Sequence, residues 1–132
     1  INIPKLVASE LNIDIDLLKN GEIATLFKLN CEWLNKLIKV KDIASLEQII
    51  NIVPLSIKVE LEKLLLTAKE VNYTNIIIAP LYYGLLRYYD GIYYRVINEN
   101  LTLCNGGMYS SDGINSLGFA LYTDNLLKIL ED

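Results

Sequence analysis

The chain has 132 residues, of which 52% are hydrophobic and 21% charged, values that exclude intrinsic disorder and suit one compact body around a single core. A formal charge of -4, with acidic and basic residues interleaved, offers no stripe of Lys and Arg to neutralise phosphates, so nucleic acid is not an expected partner. Histidine is absent, which removes Ser-His, Cys-His and His-metal chemistry.

Ile1-Asn2-Ile3-Pro4 has no initiating Met and lacks the basic start and long apolar stretch of a signal peptide, so we expect an internal cut in a longer protein. Pro4 to Leu11 reads as a short helix with Leu6, Val7 and Leu11 on its apolar side. Asn12 to Asp16 alternates polar and apolar residues, which suits a short strand. Asp14 and Asp16 would then share one face, and a solvated edge explains them more cheaply than a catalytic carboxylate pair. From Glu22 to Lys39 the apolar residues Ile23, Leu26, Phe27, Leu34, Leu37 and Ile38 keep helical spacing. Ser45-Leu46-Glu47-Gln48 matches a capping box and predicts a brief helix to about Ile50. Pro54 blocks its continuation, and Ser56 can cap a following helix with Ile57, Leu61, Leu64, Leu65 and Ala68 inside and a Lys58–Glu62 pair outside.

At Tyr73 the period changes. Tyr73 to Ala79 is rich in β-formers, ends at Pro80 and predicts a buried strand. The longest apolar run, Ile76 to Leu86, is interrupted by Pro80 and Gly84 and has about half the ~20 residues of a membrane span, so no membrane partner is expected. Ile92–Ile97 and Leu101–Cys104 flank the short polar loop Asn98-Glu99-Asn100 and form a predicted hairpin. Gly106-Gly107 interrupts the second strand, Ser110 to Gly113 is turn chemistry, and Gly118 to Tyr122 makes a last strand. Thr123 or Asp124 can cap a final helix carrying Leu126, Leu127 and Leu130. The class is therefore α+β, with a mainly helical segment over 1–72 and an antiparallel sheet with a closing helix over 73–132. Cys31 and Cys104 lack C-x-x-C spacing, which gives no support to a disulfide scaffold or a zinc site and fits reduced residues of a cytoplasmic protein. We expect no catalytic residue, no metal site and no cofactor, and no Gly-rich phosphate loop ends in Lys-Ser or Lys-Thr.

All nine tyrosines fall between Tyr73 and Tyr122. Packing in a half-buried sheet is one explanation, and the order of the residues around them offers another. That order is Arg87-Tyr88-Tyr89-Asp90-Gly91-Ile92-Tyr93-Tyr94-Arg95, a hairpin, then Asn105-Gly106-Gly107-Met108-Tyr109-Ser110-Ser111-Asp112-Gly113, then Gly118-Phe119-Ala120-Leu121-Tyr122-Thr123-Asp124-Asn125-Leu126. It resembles the histidyl-tRNA synthetase run R-G-L-D-Y-Y-T-G-x-V-F-E, G-G-R-Y-D-G-L and G-F-A-I-G-L-E-R-L over roughly the last third of the chain. The helical portion is similar, more loosely, to the segment after motif 2 in the synthetase's regulatory paralogue. The resemblance implies a class II synthetase-like antiparallel sheet.

The departures from that run point away from catalysis. Where the synthetase carries Arg to orient histidine and ATP, this chain has Gly84 and Asn125, and the Arg and Asp of G-G-R-Y-D are replaced by Met108 and Ser110. Losing one preorganised donor costs on the order of a hundredfold in rate, and several are gone. The resemblance therefore implies a non-enzymatic regulatory subunit of the ATP phosphoribosyltransferase of histidine biosynthesis. Its partner would be the short-form catalytic subunit, L-histidine would be its ligand, and the full-length form would be oligomeric. The chain stops soon after Leu130, where the synthetase would continue into an anticodon-binding domain; a divergent synthetase fragment is the alternative. By the same resemblance Tyr88, Tyr89, Gly106, Gly107 and Tyr109 would line a histidine pocket, phenols meeting the imidazole and glycines letting backbone approach it. The competing explanation, that the glycines mark a β-bulge and the tyrosines pack in the sheet, is compatible with it.

Overall fold

A computed structural model describes residues 2–83 and 89–131. Two compact units divide the chain, Ile1–Gly84 and Leu85–Asp132. The class is α+β, with helices in the first unit and a three-stranded antiparallel sheet in the second.

Short helices build the first unit: α1 (Ile3–Leu11), α2 (Asp16–Lys19), α3 (Ile23–Phe27), α4 (Glu32–Ile38), α5 (Ile43–Ile49) and the longer α6 (Leu55–Glu70). Asn2 caps α1 by accepting from the Lys5 amide at 2.9 Å, and Pro4 sits in the first turn, where a missing N–H costs nothing. Their apolar faces converge on Val7, Leu34, Leu37, Leu46, Ile57 and Leu61, all fully buried. Truncating one such Leu to Ala costs about 2–5 kcal/mol, because the surroundings cannot fully collapse into the hole.

Several local expectations need correction. Asn12 to Asp16 is a turn and not a strand: Asn12 takes a left-handed φ of 52° as the C-cap of α1, and the Asp14 carboxylate accepts from the Asp16 amide at 3.0 Å. That small turn accounts for both exposed carboxylates. The expected single helix over 22–39 breaks at Asn30, whose φ of 51° ends one helical stretch before Cys31 opens the next. Tyr73 to Ala79 forms no ladder among the described residues; the Ile78 amide donates to the Lys41 carbonyl at 2.9 Å, while Ile77 is 85% exposed. A β-rich run without a neighbouring strand to pair along its length stays irregular. Pro54 precedes α6, and Ser56 donates to Glu10 at 2.9 Å instead of capping. The Lys58–Glu62 pair is present at 4.0 Å on the outer side. No helix among the described residues is long and apolar enough to cross a membrane.

The second unit comprises β1 (Tyr93–Asn98), β2 (Leu101–Ser111), β3 (Ile114–Leu121) and α7 (Thr123–Leu130), with β2 central. Glu99-Asn100 closes the first hairpin and Asp112-Gly113 the second, the latter with φ of 51° and 78° at its two central residues. Paired positive φ values match the right-handed twist of the strands they join, which is why Asp-Gly is favoured there. β2 runs unbroken through Gly106-Gly107, and the register irregularity lies instead opposite Val96/Ile97. α7 starts without a side-chain cap from Thr123 or Asp124, and Leu127 and Leu130 are exposed.

The capping box of α5 is the clearest test of local helix chemistry. It is offset by three residues from the expected one, because Asp42 is the cap and Ser45 its third residue. Asp42 Oδ1 accepts from the Ser45 amide at 2.8 Å, and Ser45 Oγ accepts from the Asp42 amide at 3.1 Å. The Ser45 amide first, its hydroxyl second and the charge of Lys41 third hold the Asp42 carboxyl below its ordinary range. Asp42→Ala should lower the melting temperature by a few degrees at neutral pH. Because the folded-state pKa is the depressed one, the Asp42 contribution is complete above the ordinary carboxylate range and fades only as pH falls through the lower folded value. Thermal melts of both proteins should therefore converge on strong acidification, and a gap that stayed constant would exclude this ionic cap.

Candidate functional site

Successive side chains of a strand point to opposite faces, so β2 sends Asn105, Gly107 and Tyr109 to one face and Cys104, Gly106 and Met108 to the other. The register completes two rows on the first face: Arg95, Asn105 and Ala120, then Tyr93, Gly107 and Gly118. Tyr109 follows opposite Ser116. On the second face Tyr94, Gly106 and Phe119 form one row, flanked by Val96, Cys104 and Leu121 and by Met108 with Leu117. The sheet thus has a tyrosine face and an apolar face.

Tyr89 is 6% exposed and stacks on Tyr93, with ring centroids 6.0 Å apart and planes within 9° of parallel. This stack sets Tyr89 on the tyrosine face. The ring of Tyr109 leans over Gly118, where a Cβ would lie 3.1 Å from Tyr109 Cε1. Tyr89, Gly107 and Tyr109 therefore share one face. Gly106 belongs to the opposite face, and the ring of Tyr94 fills the space its missing side chain leaves. Tyr88 lies outside the described residues, as does Gly84.

Two further polar residues, Asn105 and Tyr122, stand on this face. Asn105 is 7% exposed in the middle of the central strand, and its Nδ2 donates to the Tyr122 hydroxyl at 2.7 Å. Its Oδ1 is buried and has no hydrogen-bond partner among the described residues. The available signal was the period of two linking Asn105, Gly107 and Tyr109, together with an Asn in a β-strand, where that residue is depleted. Tyr122 also lines a shallow depression of about 320 Å³ with Leu121, Thr123, Asp124 and Asn125. Asn125 donates from Nδ2 to the Thr102 carbonyl at 2.8 Å and ties α7 to β2. On the apolar face, burial first and the nearby Cys104 thiol second push the Tyr94 phenol above its ordinary value, so it is neutral at physiological pH.

The two glycines of β2 differ in what an added Cβ would meet. At Gly107 it would sit 2.6 Å from Tyr93 Cβ and 2.8 Å from the Ile92 carbonyl oxygen, so β1 itself would have to move. At Gly106 the nearest atoms it would meet belong to the Tyr94 ring, which is 48% exposed and can swing away. Gly107→Ala should cost about 1–3 kcal/mol in urea unfolding, and Gly106→Ala clearly less. Equal losses would show that the close approach of β1 to Gly107 is not the constraint described.

Comparison with known proteins follows the tyrosine-rich region and the helices alike. The chain is 34% identical over 128 residues, 97% of its length, to the ATP phosphoribosyltransferase regulatory subunit of Wolinella succinogenes. It is 32% identical over 130 residues, 98% of its length, to the protein of the same name in Helicobacter hepaticus. The aligned regions make up 44% and 46% of those two proteins, so the chain spans somewhat less than half of each. No protein-family model and no solved structure matches it. Along nearly its whole length, then, the chain is similar to a part of two ATP phosphoribosyltransferase regulatory subunits.

Proposed function

We propose that the protein is a non-catalytic regulatory subunit of the ATP phosphoribosyltransferase of histidine biosynthesis, that it acts in the cytoplasm as part of an oligomer, and that it senses histidine. The observation that carries this reading is the similarity to two proteins of that name across almost the entire chain. The site chemistry supports it. Met108 and Ser110 stand where the synthetase run has Arg and Asp, and the Asn125 amide is occupied by the Thr102 carbonyl. Asn125 is itself uncharged, where adenylation needs a cation. The antiparallel β1-β2-β3 sheet followed by α7 is consistent with part of a class II synthetase-like core.

A subunit without chemistry of its own raises a partner's turnover by binding the partner's active state more tightly than its inactive one. Histidine bound to the same subunit lowers activity when it favours the other state, and linkage makes that coupling reciprocal in affinity. On the tyrosine face, the Tyr109 hydroxyl is a donor or acceptor suited to an imidazole, beside rings that exclude water.

Mixed with the short-form catalytic subunit of its own organism, the intact protein should raise phosphoribosyl transfer, and it should show no histidine-dependent ATP–pyrophosphate exchange. Robust exchange would overturn the regulatory reading, and binding to the catalytic subunit without a change in turnover would reduce it to a scaffold. For the site itself, Tyr109→Phe should weaken L-histidine binding roughly two- to tenfold in calorimetric titration, the equivalent of one neutral hydrogen bond of about 0.5–1.5 kcal/mol. Its thermal melt should stay close to wild type. Unchanged affinity would make Tyr109 a packing residue.

A further inference from the structure

An acceptor buried without a partner is uncommon, because removing it from water costs free energy that no bond returns. Asn105 Oδ1 is such an atom, and it lies on the tyrosine face in the centre of the sheet. Exchanging the oxygen and nitrogen of the amide does not remove the problem. The Tyr122 hydroxyl would then donate to Oδ1, and the amide nitrogen would be the orphan.

The surroundings of Asn105 have the dimensions of a small flat ring. Rows on one face of a strand are about 7 Å apart, two residues of rise. Tyr109 starts one row beyond Gly107, but its ring leans back over Gly118, which is Gly107's own partner. The ring therefore stands about one row from Asn105. Between them the floor is made of Gly107, Gly118 and Ala120, none with a side chain beyond Cβ. Tyr93 and, directly opposite Asn105, Arg95 rise from β1 on one side, and the half-exposed Tyr122 covers Asn105 on the other.

We propose that Asn105 is the specificity-determining residue of a ligand subsite on this face, and that Tyr122 is its displaceable cover. When the Tyr122 ring swings out, the Asn105 amide presents an acceptor and a donor side by side to a flat nitrogen heterocycle lying against Tyr109. An N–H of that ring donates to Oδ1, and a ring nitrogen can accept from Nδ2. Imidazole and adenine both carry this chemistry, as the histidine side chain and as an adenine nucleotide. The proposal deepens the histidine-sensing reading and rests on it for the choice of face.

Two substitutions should act in opposite directions. Asn105→Leu, close in size, removes the amide and should weaken binding about tenfold or more, with a melting temperature equal to or above wild type because an unsatisfied polar atom has gone. Tyr122→Phe removes the hydroxyl that competes for the amide and should tighten binding about two- to threefold. The intact protein is titrated calorimetrically with L-histidine in one arm and AMP in the other, and the arm that binds identifies the heterocycle. If Asn105 serves only to anchor Tyr122, both variants melt lower and keep wild-type affinity, which overturns the proposal while leaving histidine sensing in place. If Asn105→Leu fails to fold, a loss of affinity in Tyr122→Phe still overturns it, and a gain supports it. No binding of either probe to wild type overturns both the subsite and histidine sensing, whereas the regulatory reading is judged by partner turnover alone.

Discussion

Everything in the sheet unit depends on how closely β1 can approach β2 at Gly107. The Tyr93 Cβ and the Ile92 carbonyl occupy the volume a side chain would need there, so the pairing of Tyr93 with Gly107 tolerates no larger residue without moving a strand. That pairing fixes the parity of every other position, because a slip of one residue would exchange the two faces. Tyr93, Asn105 and Tyr109 share a surface only while the register holds. The Asp112-Gly113 turn sets the same parity from the other side and brings Gly118 and Ala120 under the tyrosines.

The two faces that result are chemically unlike. One carries phenols, an amide, the Arg95 guanidinium and a floor of small residues. The other presents Leu117, Phe119 and Leu121, each more than half exposed, beside Val96 and Met108. Contiguous apolar surface of this kind marks a face suited to contact with other protein, whereas the polar aromatic face is suited to small, flat, hydrogen-bonding molecules. A single alternating strand thus contributes to both faces, and the side chain that belongs to each is decided by whether its number in β2 is odd or even.

Much of this was legible in the sequence wherever the deciding interactions are local. Ile57, Leu61 and Ala68 could be placed inside α6 from spacing alone, and the first hairpin and the Asp112-Gly113 turn followed from residues that need no distant partner. The capping box was recognised in kind but misplaced by three residues, because Asp42 and Ser45 are both capable caps and only the extended φ of Asp42 chooses between them. Tyr73 to Ala79 failed for the opposite reason. Its composition favours a strand, but a ladder requires a second strand, and the run makes isolated backbone bonds instead, from the Ile78 amide to the Lys41 carbonyl and from the Tyr82 amide to the Ala79 carbonyl. Tyr89, Gly107 and Tyr109 could be gathered by motif order; that Gly106 opens on the far face, and that Asn105 sits buried beside them, depends on cross-strand register, which no short window of sequence contains.

The hydrogen bond from Asn125 to the Thr102 carbonyl makes position 125 a structural joint as well as part of the depression beside Tyr122. A side chain without the Asn amide would have to abandon the bond that fastens α7 to β2, on a helix that buries none of its side chains fully. Folding stability therefore constrains the residue at position 125 on its own account, independently of whether any ligand is ever bound.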